Sequence, residues 1–390
     1  MTLPHDVPLA LYVHLPWCVR KCPYCDFNSH ALPSAGIPQQ PYVAALLDDL
    51  AFAARDCADR ELVSVFFGGG TPSLFSPDSV AQVLRGARDL LPFAANAEVT
   101  LEANPGTLER GRFADYAAAG VNRVSLGAQS FDDGKLEQLG RIHAGREIEA
   151  AVADLRAAGM ANFNLDLMYA LPQQTLGEAL HDVERAIELA PAQVSHYQLT
   201  LEAGTPFARH PPSLPDDEAA YDMQLACQER LAAAGYAQYE VSAYARPERR
   251  CAHNLNYWQY GDYLGIGAGA HGKLTALESG RIERTARVRH PSGYLAADSA
   301  AGRVAETLAV GPGDRPFEFA LNALRLLDGF DWLLFESRTG LSRRALDRPV
   351  ATAVARGLLE ERPAGGCRPT PLGARFLNDL QRLFLPESSR

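Results

Sequence analysis

From residue 9 to about residue 240 the chain alternates short apolar runs with amphipathic stretches. The runs cover residues 9–14, 62–67, 98–102, 123–127, 163–168 and 194–200. Runs of this length, bounded by turn signals, predict buried strands. Between them the apolar period becomes helical. Val43, Leu46, Leu47 and Leu50 fall on one face, and so do Leu176, Leu180, Val183 and Ile187. Ser76-Pro77 predicts an N-cap followed by proline at the first helical position. Ala119-Gly120 and Ala158-Gly159 predict helix ends.

Strands that alternate with helices predict a parallel sheet, because parallel neighbours need a crossover. About six such units are present, whereas a closed barrel of this kind takes eight. The expected fold is therefore α/β, an incomplete (β/α)6 barrel open on one side, with later segments closing the gap. Residues 1–240 form the expected barrel domain. Residues 241–312 mix short strand patterns with loops and are read as a barrel-closing α+β extension. Residues 313–390 predict a small, mostly helical, winged-helix-like module, with a turn at Pro369–Gly373 before a helix over 374–385. Residues 208–217 read as a loop leaving the barrel, and 218–234 as a helix ending at Gly235.

Polar residues gather at one end of the predicted strands. Cys18, Cys22 and Cys25 follow the first, and Gly68-Gly69-Gly70-Thr71 follows the second. Glu102 ends the third, Gln129 follows the fourth, and Asp166 lies within the fifth. In parallel α/β folds the carboxyl ends of the strands build the active site. A polar residue at one strand end is usually a cap or a turn; several in register predict a shared site. The glycine run lets backbone approach a ligand and aim amide N–H groups at it. It is not a P-loop, because the Lys-Ser/Thr tail is missing, and a tight turn is the other reading.

Composition narrows the classes. Hydrophobic residues make up 47% and charged residues 22% of 390, as in ordinary globular proteins. The N-terminus lacks a basic region followed by an apolar core, so no signal peptide is expected. No apolar stretch is long enough to span a bilayer, and a cytoplasmic location is expected. The net charge of −10 and the lack of a basic run argue against a nucleic-acid partner.

Three cysteines carry the sharpest chemistry. Cys18, Cys22 and Cys25 stand at C-x3-C-x2-C spacing. Clustered thiolates select iron–sulfur centres or zinc. Three of them leave one iron of a four-iron cube open to a substrate. Zinc would need His14 or His30 as a fourth ligand, since no second C-x2-C pair follows. A zinc-stabilised binding protein therefore stays as an alternative. Seven cysteines in 390 residues do not make a disulfide scaffold.

The cysteine run followed by Gly-Gly-Gly-Thr-Pro resembles the radical S-adenosylmethionine (SAM) proteins. That resemblance implies a [4Fe-4S] cluster on Cys18, Cys22 and Cys25. It further implies SAM chelated by the open iron, and an electron donor if SAM is cleaved. Leu11–Pro16, Glu102–Gly106, Gly127–Phe131, Leu139–His143 and Asn164–Met168 are similar to the oxygen-independent coproporphyrinogen oxidase group. By that resemblance Tyr12, Tyr24, Gly69, Gly70 and Thr71 contact SAM. So do Glu102, Gln129, Arg141 and Asp166. Gln129 and Asp166 suit ribose hydroxyls, and Arg141 suits the methionine carboxylate.

Two departures argue against the oxidase itself. Phe27 stands where that enzyme has a fourth cysteine, and only eleven residues precede Tyr12. The chain resembles more closely the HemW heme chaperone branch, through His253-Asn254-Leu255-Asn256-Tyr257-Trp258. The branch implies heme binding and delivery to apo-hemoproteins, including membrane-bound respiratory enzymes, with SAM either retained or turned over. Coproporphyrinogen decarboxylation is the alternative function. His253 is then the candidate axial ligand, Asn254 its neighbour, and Tyr257 and Trp258 flat faces for a porphyrin. His271 and Cys251 are rival ligands, and a plain packing role for the motif is the other reading.

Overall fold

The computed structural model describes residues 3–5, 7–106 and 111–386. Its six barrel strands are β1 (Leu9–Leu15), β2 (Leu62–Gly69), β3 (Phe93–Ala103), β4 (Arg123–Gln129), β5 (Phe163–Tyr169) and β6 (Gln193–Gln198). They are parallel and lie side by side in chain order. Strand β1 is buried at every residue but Tyr12, which is only partly covered. A near-continuous apolar run of this kind is what a strand covered on both faces requires.

Helices cover the outer face. They include α1 (Gln39–Ala53), α2 (Pro77–Leu90), α3 (Phe113–Ala119), α4 (Asp133–Gln138), α5 (Gly145–Ala157) and α6 (Leu176–Glu188). The signals read from sequence hold at atomic detail. The Ser76 side chain accepts from the Ser79 N–H with Pro77 at the first helical position, and Gly120 takes a left-handed φ of 110°. One detail differs. Leu176, at the first position of α6, is exposed, and Ala179, Val183 and Ala186 take the inner face. Small residues there let α6 lie close to its neighbours, so the stripe is narrower than the leucines alone predict.

The sheet is extended at both edges rather than closed. At the β6 edge come β7 (Ala237–Gln238) and β8 (Ala243–Ala245), which pair antiparallel with each other and, through β8, with β6. The long Asp217–Ala233 helix precedes them, and helix α7 (Ala252–Trp258) lies between them and the next strand. At the opposite edge β9 (Asp262–Ile266) pairs parallel with β1. The antiparallel strands β10 (His271–Ala276), β11 (Arg281–Arg287) and β12 (Val304–Ala309) follow. The result is one sheet of 12 strands whose end strands β12 and β7 have different neighbours. The end strands do not pair with each other among the described residues, in keeping with the incomplete barrel expected. Helix α7 packs on the cavity side of the sheet, its His253 ring stacked on Phe66 of β2 at 4.9 Å.

A second hydrophobic core holds the C-terminal segment together. Phe319, Phe330 and Phe335 meet edge-to-face, with ring centroids 4.9 and 5.1 Å apart. Tyr260 and Ile282, from the segment before it, pack into the same core. The helices here alternate with a short hairpin, Leu359–Glu361 against Cys367–Pro369. The helix expected over 374–385 begins earlier, at Pro371, under a Thr370 cap, and breaks at Phe376. Residues 387–390 of the expected module lie outside the described residues. No helix among the described residues is long and apolar enough to cross a membrane.

Candidate functional site

The carboxyl ends of β1–β6 open into a cavity of about 820 Å³. Cys18, Cys22 and Cys25 line its mouth, on the loop after β1. The loop is held by backbone. His30 N–H donates to Pro16 O at 2.7 Å and Leu32 N–H to Cys18 O at 3.0 Å. All three thiols are free and partly exposed. Hydroxyls and a guanidinium lie beside their sulfurs. The Thr71 hydroxyl donates to Cys18 Sγ at 3.5 Å, Arg141 Nη1 points at Cys22 Sγ at 3.7 Å, and Ser29 Oγ lies 3.8 Å from Cys25 Sγ. Burial pushes the Cys18 and Cys25 thiols up, opposed by those hydroxyls. A soft, three-sulfur donor set served by nearby hydrogen-bond donors suits an iron–sulfur cluster held at three corners.

The glycine run does a different job from the one expected of it. Gly69 N–H donates to Glu102 Oε2 at 3.1 Å. Gly70 N–H goes to Leu15 O at 2.9 Å and Thr71 N–H to Trp17 O at 2.8 Å. These amides are engaged within the protein, not aimed at a ligand. A Cβ on Gly69 would lie 2.5 Å from the His14 ring, and one on Gly70 would lie 2.6 Å from Trp17 O. Gly69 also has a φ of +117°. The glycines therefore let the cysteine loop lie directly on the end of β2.

Acidic groups line the next stretch of wall. Glu102, the last residue but one of β3, is pushed up to about 8, first by burial and then by the charge of Asp166, against the pull of the Gly69 amide. Asp166 is also raised by burial, although Asn164 and Ser125 donate to its carboxylate at 2.8 and 3.1 Å. Gln129 follows a break in the β4–β5 register and has a φ of 69°. Such a bulge re-aims a side chain, here into the cavity. Arg141 is anchored by its Nη2, which donates to Asn104 Oδ1 at 2.5 Å and to Gly127 O at 2.8 Å. The Tyr12 hydroxyl meets His14 Nδ1 at 3.0 Å, and Tyr24 packs near Phe207. Burial raises both phenols.

The His-Asn-x-x-Tyr-Trp motif lies deeper. His253 is 1% exposed, with Nδ1 on Ser64 Oγ at 2.9 Å and Nε2 on the Tyr257 hydroxyl at 3.1 Å. Burial holds it neutral, down to about 3. One ring nitrogen donates and the other accepts, so in this arrangement no lone pair is left for iron. Asn254 and Tyr257 line the cavity, whereas Trp258 does not; its ring lies under the Arg325 guanidinium at 4.2 Å. The Cys251 thiol, pushed up to about 12 by burial and by Glu98, donates to Glu98 at 3.3 Å.

The three cysteines and all nine residues expected to contact SAM line this one cavity, whereas His271 lines a neighbouring chamber. The sequence reading passed over Asn104, which binds both Arg141 and, at 3.1 Å, Thr71. Its signal was its place two residues after Glu102 at a strand end. Ser125 and Ser195, which with Asn164 surround Asp166, have no local signature, because each is an isolated polar residue inside a strand.

The Radical SAM superfamily model matches residues 12–190, and the HemN C-terminal domain model matches residues 311–376. The heme chaperone HemW of Escherichia coli (strain K12) is 50% identical over 381 residues, covering 97% of this chain and 99% of that protein. This chain belongs to the HemW family. The HemW of Haemophilus influenzae (strain ATCC 51907 / DSM 11121 / KW20 / Rd) is 49% identical over 389 residues, covering 99% of this chain and all of that protein. The fold is also that of the E. coli coproporphyrinogen III oxidase HemN, a radical SAM enzyme. The TM-score is 0.81 at 22% identity, over 97% of this chain and 90% of that one. In this HemW-family chain the position of the oxidase's expected fourth cysteine is Phe27, 62% exposed at the cavity mouth.

Proposed function

We propose that this chain is a cytoplasmic heme carrier that binds heme and hands it to apo-hemoproteins, among them membrane-bound respiratory enzymes. It keeps a [4Fe-4S] cluster and SAM beside the cargo. The observation that carries this reading is near-full-length likeness to heme chaperones at about half of all positions. Phe27 supports it, because a phenyl ring cannot replace a thiolate.

Cys18, Cys22 and Cys25 hold the cluster. When bound, such a cluster supplies single electrons and an iron with a free coordination position. Gln129 and Asp166 take ribose hydroxyls, and Arg141 takes the methionine carboxylate. Tyr12, Tyr24, Gly69, Gly70 and Thr71 shape the remaining wall. Glu102 and Asp166 favour a cationic guest: two neighbouring buried carboxyls hold on to a proton, and the positive charge of a bound sulfonium or ammonium lowers their pKa so that the proton passes to solvent and a carboxylate faces the cation. Asn104 positions Arg141 for the carboxylate.

The test is a hemin titration run beside a coproporphyrinogen assay on anaerobically reconstituted protein. Stoichiometric heme binding without decarboxylated product is expected. Product formation would establish the oxidase instead, and zinc without iron or sulfide would establish a metal-stabilised binding protein. Cys22→Ala should lose iron and sulfide while far-ultraviolet circular dichroism is kept, because the cysteine loop lies outside the hydrophobic core around β1–β6. Global unfolding of that variant would show that the cluster holds the fold itself.

A further inference from the structure

A second chamber of about 590 Å³ adjoins the main cavity. The two share walls formed by Tyr12, Phe27, Gly69, Glu102 and Tyr257. Its volume falls within the roughly 300–1,000 Å³ of small-molecule and cofactor sites. Its far wall is the sheet extension, and sheet register explains its shape. Tyr263 of β9 faces Lys273 of β10, and His271, two residues earlier on β10, shares that face. His271 pairs with Ala286 of β11. The small Ala286 side chain leaves open space beside the imidazole, and all of Tyr263, His271 and Ala286 line the chamber.

His271 differs from the other imidazoles near the site. His253 has both ring nitrogens engaged, and His14 has its own on Tyr12 and on Asn28 O. Among the described residues His271 makes no side-chain hydrogen bond, and it is exposed. A neutral imidazole with a free lone pair is an axial ligand for porphyrin iron. Cations complete the wall. Arg287 is neutralised by Asp49 at 2.8 Å, but Arg289 meets only the Asn28 amide oxygen, at 3.4 Å, and no carboxylate among the described residues. It can therefore pair with a carboxylate on the guest. Tyr257, Tyr263 and the exposed Phe27 offer ring faces.

We propose that heme is held in this chamber, with its iron on His271 and a propionate on Arg289. The inference rests on the heme-carrier reading above and names its cargo site. On binding, the imidazole donates its lone pair to an axial position of the iron and a water leaves. No electron is transferred. The His-Asn-x-x-Tyr-Trp helix then acts as a positioning element: His253 fixes the Tyr257 hydroxyl, and Tyr257 forms the partition between heme and the SAM cavity.

The experiment is a hemin titration of the full-length, cluster-loaded protein, read by the Soret band and by electron paramagnetic resonance. His271→Ala should weaken hemin binding about 10-fold or more and remove the nitrogen-ligand signature. His271→Cys should bind hemin with a thiolate-type spectrum instead. Arg289→Ala should weaken binding while keeping the histidine spectrum. Iron content and circular dichroism, unchanged in all three, show that the fold survives. An unchanged spectrum and affinity in His271→Ala, with hemin still bound by the unsubstituted protein, would overturn the site and leave the carrier reading intact. Failure of the unsubstituted protein to bind hemin would overturn both.

Discussion

Glu102 shows how one residue links the emptiness of a site to stability. Its carboxyl is buried beside Asp166 and is held up to about 8, above an ordinary 4.5. In the unfolded chain it ionises near 4.5. The folded protein therefore binds the extra proton between those values, and stability falls as pH rises through that window. The contribution is complete below about 4.5 and lost above about 8. Glu102→Gln imitates the protonated form. The SAM-free variant should match the parent near pH 5 and exceed it in stability at pH 9, as read by urea unfolding at both values. Equal curves at pH 9 would mean that Asp166 carries the proton instead. At this scale the sequence marked residue types well, because thiolates, a terminal carboxylate and a glycine run have few uses. It did not mark partners. That His253 is closed by Ser64, 189 positions away, could not be read from its neighbours in the chain.

At the scale of elements the sequence was most legible, and the reasons are local. A strand buried on both faces must be largely apolar, a helix must present a stripe, and a left-handed helix end favours glycine. All six barrel strands appear within a few residues of where those rules place them, although β3 starts five residues before its predicted start. Residues 93–97 mix exposed and half-buried positions and so carry no apolar run. The purpose of the glycine run was not legible, because it depends on how closely the next loop approaches. Gly70→Ala would place a Cβ 2.6 Å from Trp17 O, which is backbone and cannot rotate away. The cysteine loop must then lift off β2, at about 1–3 kcal/mol for such overpacking. Iron incorporation should drop while most of the secondary structure persists. Gly177→Ala in α6, where the new Cβ meets nothing within 4 Å, should instead stabilise by about 0.4–1 kcal/mol and leave iron content alone. Measuring iron and urea midpoints on both variants separates crowding at the site from a general effect of losing a glycine.

The whole molecule is governed by how its two largest hydrophobic cores are joined. The joint is polar as well as apolar. Glu318, on the first helix of the C-terminal segment, accepts from the Tyr260 hydroxyl at 2.8 Å and from Arg284 Nε and Nη2, each at 2.9 Å. Arg284 belongs to β11, so this one carboxylate ties the C-terminal core to the sheet that carries His271. Such pairing could not be inferred from sequence, since the partners lie 34 and 58 positions away from Glu318 and none belongs to a motif. Charged, forked hydrogen bonds of this kind, half-shielded from water, are worth about 1–3 kcal/mol. Glu318→Ala leaves Arg284 without its carboxylate and Tyr260 without its acceptor, and it should lower stability by about that amount. The loss should fall on the C-terminal core first, because Phe319, next to Glu318, lies at the centre of its ring cluster. In a background with Trp17 and Trp258 replaced by Phe, Trp332, which packs on Phe330, reports on that core, while the cluster absorbance reports on the barrel mouth. With Glu318 intact both signals should be lost at one urea concentration, because Ile282, on a strand of the large sheet, is buried in the C-terminal core. In Glu318→Ala the tryptophan signal should move to lower urea and separate from the cluster signal. Coincident transitions in the variant would mean that apolar packing alone couples the cores, and that the ion pair serves only to orient β11.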